Sequence, residues 1–188
     1  MRDCVGENYD RGQGFSDLAA LIMARYPLIV FEEIVEKSAD KDLIHLFFRE
    51  IANDDDEKVG EPKIDVAKLL EWVKQDPQAR ALKIAHVVSY AVRDGSDEQL
   101  RWSAIAQFLI DVAVDPVPVL RAFEQRFWVG AGWGPISLRF TRRRPLVTTM
   151  LQHRDHRVRT WAREANLKLE ENIRRWDEMD RNSDSRFE

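Results

Sequence analysis

The chain is predicted to be all-α, a solenoid-like stack of antiparallel helix hairpins, and three observations predict it. Apolar residues recur every three or four positions over most of the 188 residues, the spacing that gathers them on one face of a helix. Asp76-Pro77, Asp115-Pro116 and Asp155 each follow an apolar helix end and open a new helix, and their spacing of about forty residues lies in the range of helix-pair repeats. Strand-like runs such as Val112 to Val119 are broken by two prolines, which leaves no sheet to build. Hairpins of this kind hide their apolar sides only by leaning on the next hairpin.

Residues 1–15 are expected to be a flexible N-terminal segment, and 16–188 a single helical-repeat domain. Ser16 with Asp17 opens the first helix, because the serine oxygen accepts a free N–H of the first turn. Leu18, Leu21 and Ile22 supply its apolar side, and it ends near Tyr26. Pro27 opens the next helix without losing a needed hydrogen bond, with Leu28, Phe31, Ile34 and Val35 inward. Asp40 starts another, carrying Leu43, Ile44, Phe47, Phe48 and Ile51. Asn53 to Lys63 holds four consecutive acids, a glycine and Pro62, so a loop near 53–63 follows.

Amphipathic helices come next near Ile64 to Lys74, Pro77 to Val92, Asp97 to Val112 and Pro116 to Trp128. Three glycines and a proline between Val129 and Pro135 disfavour helix and mark a loop near 129–135. Two helices close the chain, near Ile136 to Met150 with Pro145 interrupting, and from Asp155 to about Asp180. The last carries Glu170, Glu171, Arg174, Arg175, Asp177 and Glu178, a polar exterior that suits the end of a stack.

Composition excludes several classes of function. Apolar residues make up 44% and charged residues 33%, which fits a folded chain and neither a disordered nor a membrane protein. Apolar stretches such as Pro27 to Phe31 are too short to cross a bilayer. The acidic, glycine-containing opening (Asp3, Glu7, Asp10, Gly12, Gly14) is unlike a secretory signal. A lone Cys4 forms no internal disulfide, so a reducing, cytoplasmic compartment is expected. The net charge of −4 argues against a protein devoted to coating nucleic acid. That charge is divided, with acids crowding the first third and arginines the last, so a bipolar molecule is expected.

Pro145, Leu146, Met150-Leu151, Asp155, Val158-Arg159, Ala162 and Ala165 together resemble a HEAT repeat. In that family a proline kinks the first helix, an Asp and a Val-Arg step begin the second, and small alanines let hairpins approach closely. Asp76-Pro77 with Arg80 and Ala81, and Asp115-Pro116 with Val119 and Leu120, match in part, the valine-arginine step being missing or altered. From Leu100-Arg101-Trp102 to Arg186-Phe187-Glu188 the chain is also similar to the C-terminal ends of large bacterial helical-repeat proteins of uncertain function. The resemblance implies a HEAT-like α-solenoid in a bacterial cytosolic protein, linked to defence or toxin neutralisation.

No catalytic set emerges from the spacing of reactive residues. His153, Asp155 and His156 could in principle take a zinc ion, but they fall at a helix junction with no Cys or further His close in sequence. Gly130, Gly132 and Gly134 lack the preceding strand that a dinucleotide loop needs. Trp72, Trp102 and Trp161 lie within amphipathic helices and are expected in the core. Trp133 sits among glycines, and with Trp128, Arg139, Arg142, Arg143 and Arg144 it forms an aromatic and arginine cluster of the kind enriched at interfaces. The expected function is therefore non-enzymatic, a protein-binding module without cofactor or metal whose bacterial form would be an immunity or defence component. A HEAT-like nucleic-acid binder with a DNA-glycosylase-like scaffold, or the cap of a longer solenoid, are the competing expectations.

Overall fold

In the computed structural model the described residues are 18, 21–23, 25–37, 65–93, 99–128 and 136–184. The expected segment 1–15, the Ser16 cap, the helix opened by Asp40, the loops near 53–63 and 129–135, and Trp133 lie outside them. The chain divides into two compact units, Met1–Ser89 and Tyr90–Glu188.

In the first unit, Leu18, Leu21 to Met23 and Arg25 are helical. Helix α1 (Pro27–Val30) then runs directly into a π-helical segment (Phe31–Glu36), closed by the Lys37 N–H on the Glu32 carbonyl at 3.2 Å. Pro27, Val30, Phe31 and Val35 point inward, while Leu28 and Ile29 are exposed. Leu28 was expected inside. The stripe set by Pro27, Val30 and Phe31 is the one that reaches the core, and Leu28 lies about 100° round the helix from Pro27. Leu18 and Leu21 are likewise exposed, and Met23 is buried in their place.

Helix α2 (Val66–Gln75) starts at Asp65, whose carboxylate accepts the Lys68 N–H. Helix α3 (Pro77–Ala85) starts at Asp76, which accepts the Ala79 N–H at 3.1 Å, with Pro77 in the first turn. Each cap satisfies a donor that the helix itself cannot. Trp72 of α2 packs on Phe31 with ring centroids 5.4 Å apart, and Leu69, Val73, Ala81 and Ile84 complete this core.

The start of the second unit differs from the sequence expectation. Among the described residues two short strands, β1 (Ala91–Arg93) and β2 (Leu100–Trp102), pair antiparallel with Ala91 opposite Trp102 and Arg93 opposite Leu100. The sequence placed helices over Pro77 to Val92 and Asp97 to Val112. Val87 to Val92 are six consecutive buried residues, and a helix on a surface cannot bury all sides at once, so α3 ends at Ala85. The following helix, α4 (Ala104–Val112), starts later than expected, at Ser103, whose hydroxyl oxygen accepts the Ala106 N–H at 3.1 Å.

Helix α5 (Pro116–Phe127) is capped by Asp115. Helix α6 (Ile136–Met150) runs through Pro145 without the expected interruption. The proline removes one backbone donor, and the Thr148 and Thr149 hydroxyls bond the Pro145 carbonyl one turn on. Helix α7 (His156–Asp184) is the longest, at 29 residues. Trp102, Phe123, Phe127, Tyr90 and Trp161 form one aromatic cluster with centroids 4.8 to 6.5 Å apart. Trp72, Trp102 and Trp161 are at most 4% exposed, as the sequence led us to expect.

Candidate binding site

Of the aromatic and arginine cluster read from the sequence, Trp128, Arg143 and Arg144 make contacts within the second unit. Trp128 is half-buried, donates its indole N–H to Glu124 at 3.1 Å, and carries the Lys168 ammonium 4.2 Å above its ring. Arg143 is 6% exposed. It donates to the Phe127 carbonyl, capping the C-terminal end of α5 where a cation is favoured. Arg144 is exposed and pairs with Glu170 of α7 at 2.7 Å. Arg139 and Arg142 are half-buried on the same helix. The structure therefore gathers Trp128 and Arg143 at the end of α5 and turns Arg144 toward α7.

A different set of residues forms an open groove between the C-terminal ends of α4 and α6. Gln107, Ile110, Asp111, Thr149, Met150, Gln152, His153 and Arg154 line about 400 Å³ of space. Ile110 and Met150 are 2% and 5% exposed and form an apolar floor. Gln107 uses one amide donor on the Trp102 carbonyl and Thr149 gives its hydroxyl proton to the Pro145 carbonyl. Both keep oxygen lone pairs for a guest. The signal was present in the sequence, since Gln107 and Asp111 stand four apart in an otherwise apolar helix.

Charge fixes the rim. Asp111 accepts from His153 Nε2 at 3.3 Å and from Arg154 at 3.0 Å. His153 Nδ1 accepts the Asp155 N–H at 3.1 Å, so the neutral ring carries its proton on Nε2, facing Asp111. Both ring nitrogens are thus engaged within the protein, and His156 lies 3.8 Å from Asp155. Among the described residues no group of three His, Cys, Asp or Glu could hold a metal ion. The Arg157 guanidinium and its backbone N–H hold the Asp155 carboxyl well below the usual carboxylate range. Arg157 also donates to the Val114 carbonyl at 3.0 Å.

These bonds share one register. His153 with Asp111, Arg154 with Asp111, Arg157 with Val114, Trp102 with Leu146 and Lys168 with Glu124 join residues 42 to 44 positions apart. These bonds join the turn after α4 to the turn after α6 and Glu124 of α5 to Lys168 of α7, whereas Trp161 of α7 reaches Glu124 at an offset of 37. Electrostatics separate the two units. Tyr90–Glu188 holds 17 basic and 15 acidic residues, a net charge of +2, whereas Met1–Ser89 holds 12 and 18, a net charge of −6.

Among the described residues no helix is long and apolar enough to cross a membrane. Comparison of the chain with protein-family models, with curated proteins and with solved structures found no match.

Proposed function

We propose that this chain is a non-enzymatic protein-binding module, HEAT-like in its stacking, whose second unit holds an extended segment of a partner protein in the groove between α4 and α6. The observation that carries the reading is a groove with a buried apolar floor and unspent hydrogen-bonding capacity. Its floor is buried and its rim is tied across hairpins by Asp111, His153 and Arg154. Preorganised walls lower the ordering cost of binding, and glutamine and threonine side chains suit the amide edges of a peptide backbone. The 42 to 44 residue offset supports HEAT-like stacking of the two hairpins. A bacterial immunity or defence role is the form of this reading that the sequence resemblance implies.

Thr149→Trp tests it, because an exposed helical position then fills the groove. A tagged chain is used to capture its partner, which mass spectrometry identifies and which is then purified. Titration calorimetry should show binding at least about tenfold weaker for the variant, or about 1.4 kcal/mol. Arg144→Glu, away from the groove, should change affinity by less than about threefold. Unchanged affinity in Thr149→Trp would overturn the reading, as would tight, salt-sensitive binding to duplex DNA that Thr149→Trp leaves intact.

A further inference from the structure

The groove between α4 and α6 lies in a field that attracts cations, and the chain's own arginines report its sign. It opens at the C-terminal ends of both helices, where the last carbonyls lack helical partners and carry partial negative charge. Arg154 donates to the Asp111 carbonyl at 3.4 Å, Arg157 to that of Val114 at 3.0 Å, and Arg159 to those of His153 and Arg154 at 2.7 Å. Each of these guanidiniums has come to rest on a backbone oxygen at a helix end or in the turn beyond it. Arg157 is held further by Asp155 and Asp115.

Inside the groove most hydrogen-bond donors are engaged and the acceptors are open. Gln107 gives an amide proton to the Trp102 carbonyl, Thr149 its hydroxyl proton to the Pro145 carbonyl, and His153 its Nε2 proton to Asp111. His153 and Arg154 both reach Asp111 at Oδ1, so Oδ2 takes neither bond. Gln107 stands one turn before Asp111 on the same face of α4, with its Oε1 open, and the Thr149 oxygen lines the α6 wall with lone pairs to offer. Gln152, exposed at the rim, offers both a donor and an acceptor. Beneath them Ile110 and Met150 form the apolar floor. A carboxylate and a neutral acceptor above such a floor match a hydrocarbon stem that ends in a positive charge, because that kind of side chain lays its methylenes on apolar surface and carries its head to oxygen. Arg154, 76% exposed at the rim, competes with such a head for Asp111.

We propose that the segment held in this groove presents a lysine or arginine side chain, its stem lying on Ile110 and Met150 and its charged head on Asp111 Oδ2 and Gln107 Oε1. The inference rests on the reading of the groove as a site for an extended segment, and it adds the class of residue that the groove selects. When the segment is bound, the Asp111 carboxylate joins two cations, Arg154 at Oδ1 and the partner's at Oδ2. Two substitutions at the rim therefore act in opposite directions. Removing the Asp111 charge weakens the hold on the partner's cation, whereas removing Arg154 relieves a like charge and strengthens it. A groove that selects an acidic segment would show the reverse order.

Small probes read this preference without the partner. n-Butylammonium, n-butylguanidinium, butyrate and n-butanol share a short alkyl stem and differ in charge. Each is titrated to about 100 mM into the full chain at constant ionic strength, while the Gln107 side-chain amide and Met150 methyl resonances are followed. Both cations should shift these signals saturably with Kd on the order of 10 mM. They should bind at least about fivefold more tightly than butyrate or n-butanol. Asp111→Asn, which keeps the shape of the carboxylate, should weaken both cations at least about fivefold, and Arg154→Ala should tighten them by about twofold to threefold. With the purified partner, Asp111→Asn should lower affinity at least about tenfold and Arg154→Ala should raise it. Circular dichroism confirms that both variants keep their helices. Butyrate or n-butanol binding as tightly as the cations, no saturable shift from either cation, or weaker cation binding in Arg154→Ala overturns the proposal. Any of these results beside weaker partner binding in Thr149→Trp removes the charge preference alone and leaves the groove as a site for an extended segment.

Discussion

Glu32 in the first unit accepts the indole N–H of Trp72 and Glu124 in the second that of Trp128, and each shares that indole with a cation lying on the ring face. The parts are alike but the burial is inverted. Around Glu32 the cation is the enclosed partner. Arg80 is 14% exposed, sits 4.3 Å above Trp72, and bonds Glu32, the Trp72 carbonyl and Gln75, while Glu32 itself is 38% exposed. Around Glu124 the carboxylate is enclosed. It is 20% exposed and accepts from Trp128, Trp161 and Lys168 at 3.0 to 3.2 Å, while Lys168 is 51% exposed. The same three groups therefore put their energy in different members, because a hydrogen bond or ion pair is worth most on the side that water cannot replace.

Removing the carboxylates is the strongest way to break this comparison. Glu124→Leu strands two indole donors and should cost about 3 kcal/mol, whereas Glu32→Leu, with one indole and more water nearby, should cost about 1 kcal/mol. Urea titration followed through the indole N–H resonances of Trp161 and Trp72 reads the two units separately. Equal losses at the two sites would show that burial does not set the difference.

Removing the cations should reverse the order. Arg80→Ala takes a donor from the Trp72 carbonyl, Gln75 and Glu32, the last keeping its indole bond, and uncovers the Trp72 face, for about 2 kcal/mol. Lys168→Ala deletes a screened surface pair and should cost about 0.5 kcal/mol. The same resonances report both, and a larger effect at Lys168 than at Arg80 would contradict the inverted arrangement.

Neither cluster could be read from the sequence, and the reason is geometric. Glu32 and Trp72 stand 40 residues apart and Glu124 and Trp161 stand 37 apart, so their meeting depends on how hairpins lie together. What was legible was local. Asp76, Asp115 and Asp155 each accept an N–H of the helix they open, because an N-cap needs only its own next few residues. Trp72 and Trp161 followed from helical spacing, which burial respects whatever the tertiary partner is, whereas Trp102 is buried as expected but from strand β2 and not from the expected helix. Spacing failed where residues are buried on every side. Val87 to Val92 offers no polar face to break the pattern, and a helix was drawn through a strand. The partner-binding cluster was composed on nearness in sequence, but successive residues on a helix point in different directions. Hence Arg143 entered the interior while Arg144 paired on the surface. The groove escaped notice because its lining comes from two helices some 40 residues apart, although Gln107 and Asp111 broke an apolar run.

Acid should separate the second cluster by the smallest but most specific effect. Burial alone would push the Glu124 carboxyl up, but hydrogen bonds from Trp161, Trp128 and Lys168 and the Lys168 charge outweigh it, leaving it below its ordinary value of 4.5. Above that value the folded and unfolded chains both carry the charge, and the stabilisation is fully present. As the pH falls through 4.5 the unfolded chain takes up a proton that the folded chain resists, so stability declines until the folded carboxyl is protonated too. The indole N–H resonances of Trp128 and Trp161 should accordingly stay fixed down to about pH 4.5 and move together only below it. Glu124→Gln keeps an acceptor but removes the charge, and should abolish that common movement. A shared midpoint at or above 4.5 would mean that burial dominates, and that the three donors do not hold the carboxylate in its charged form.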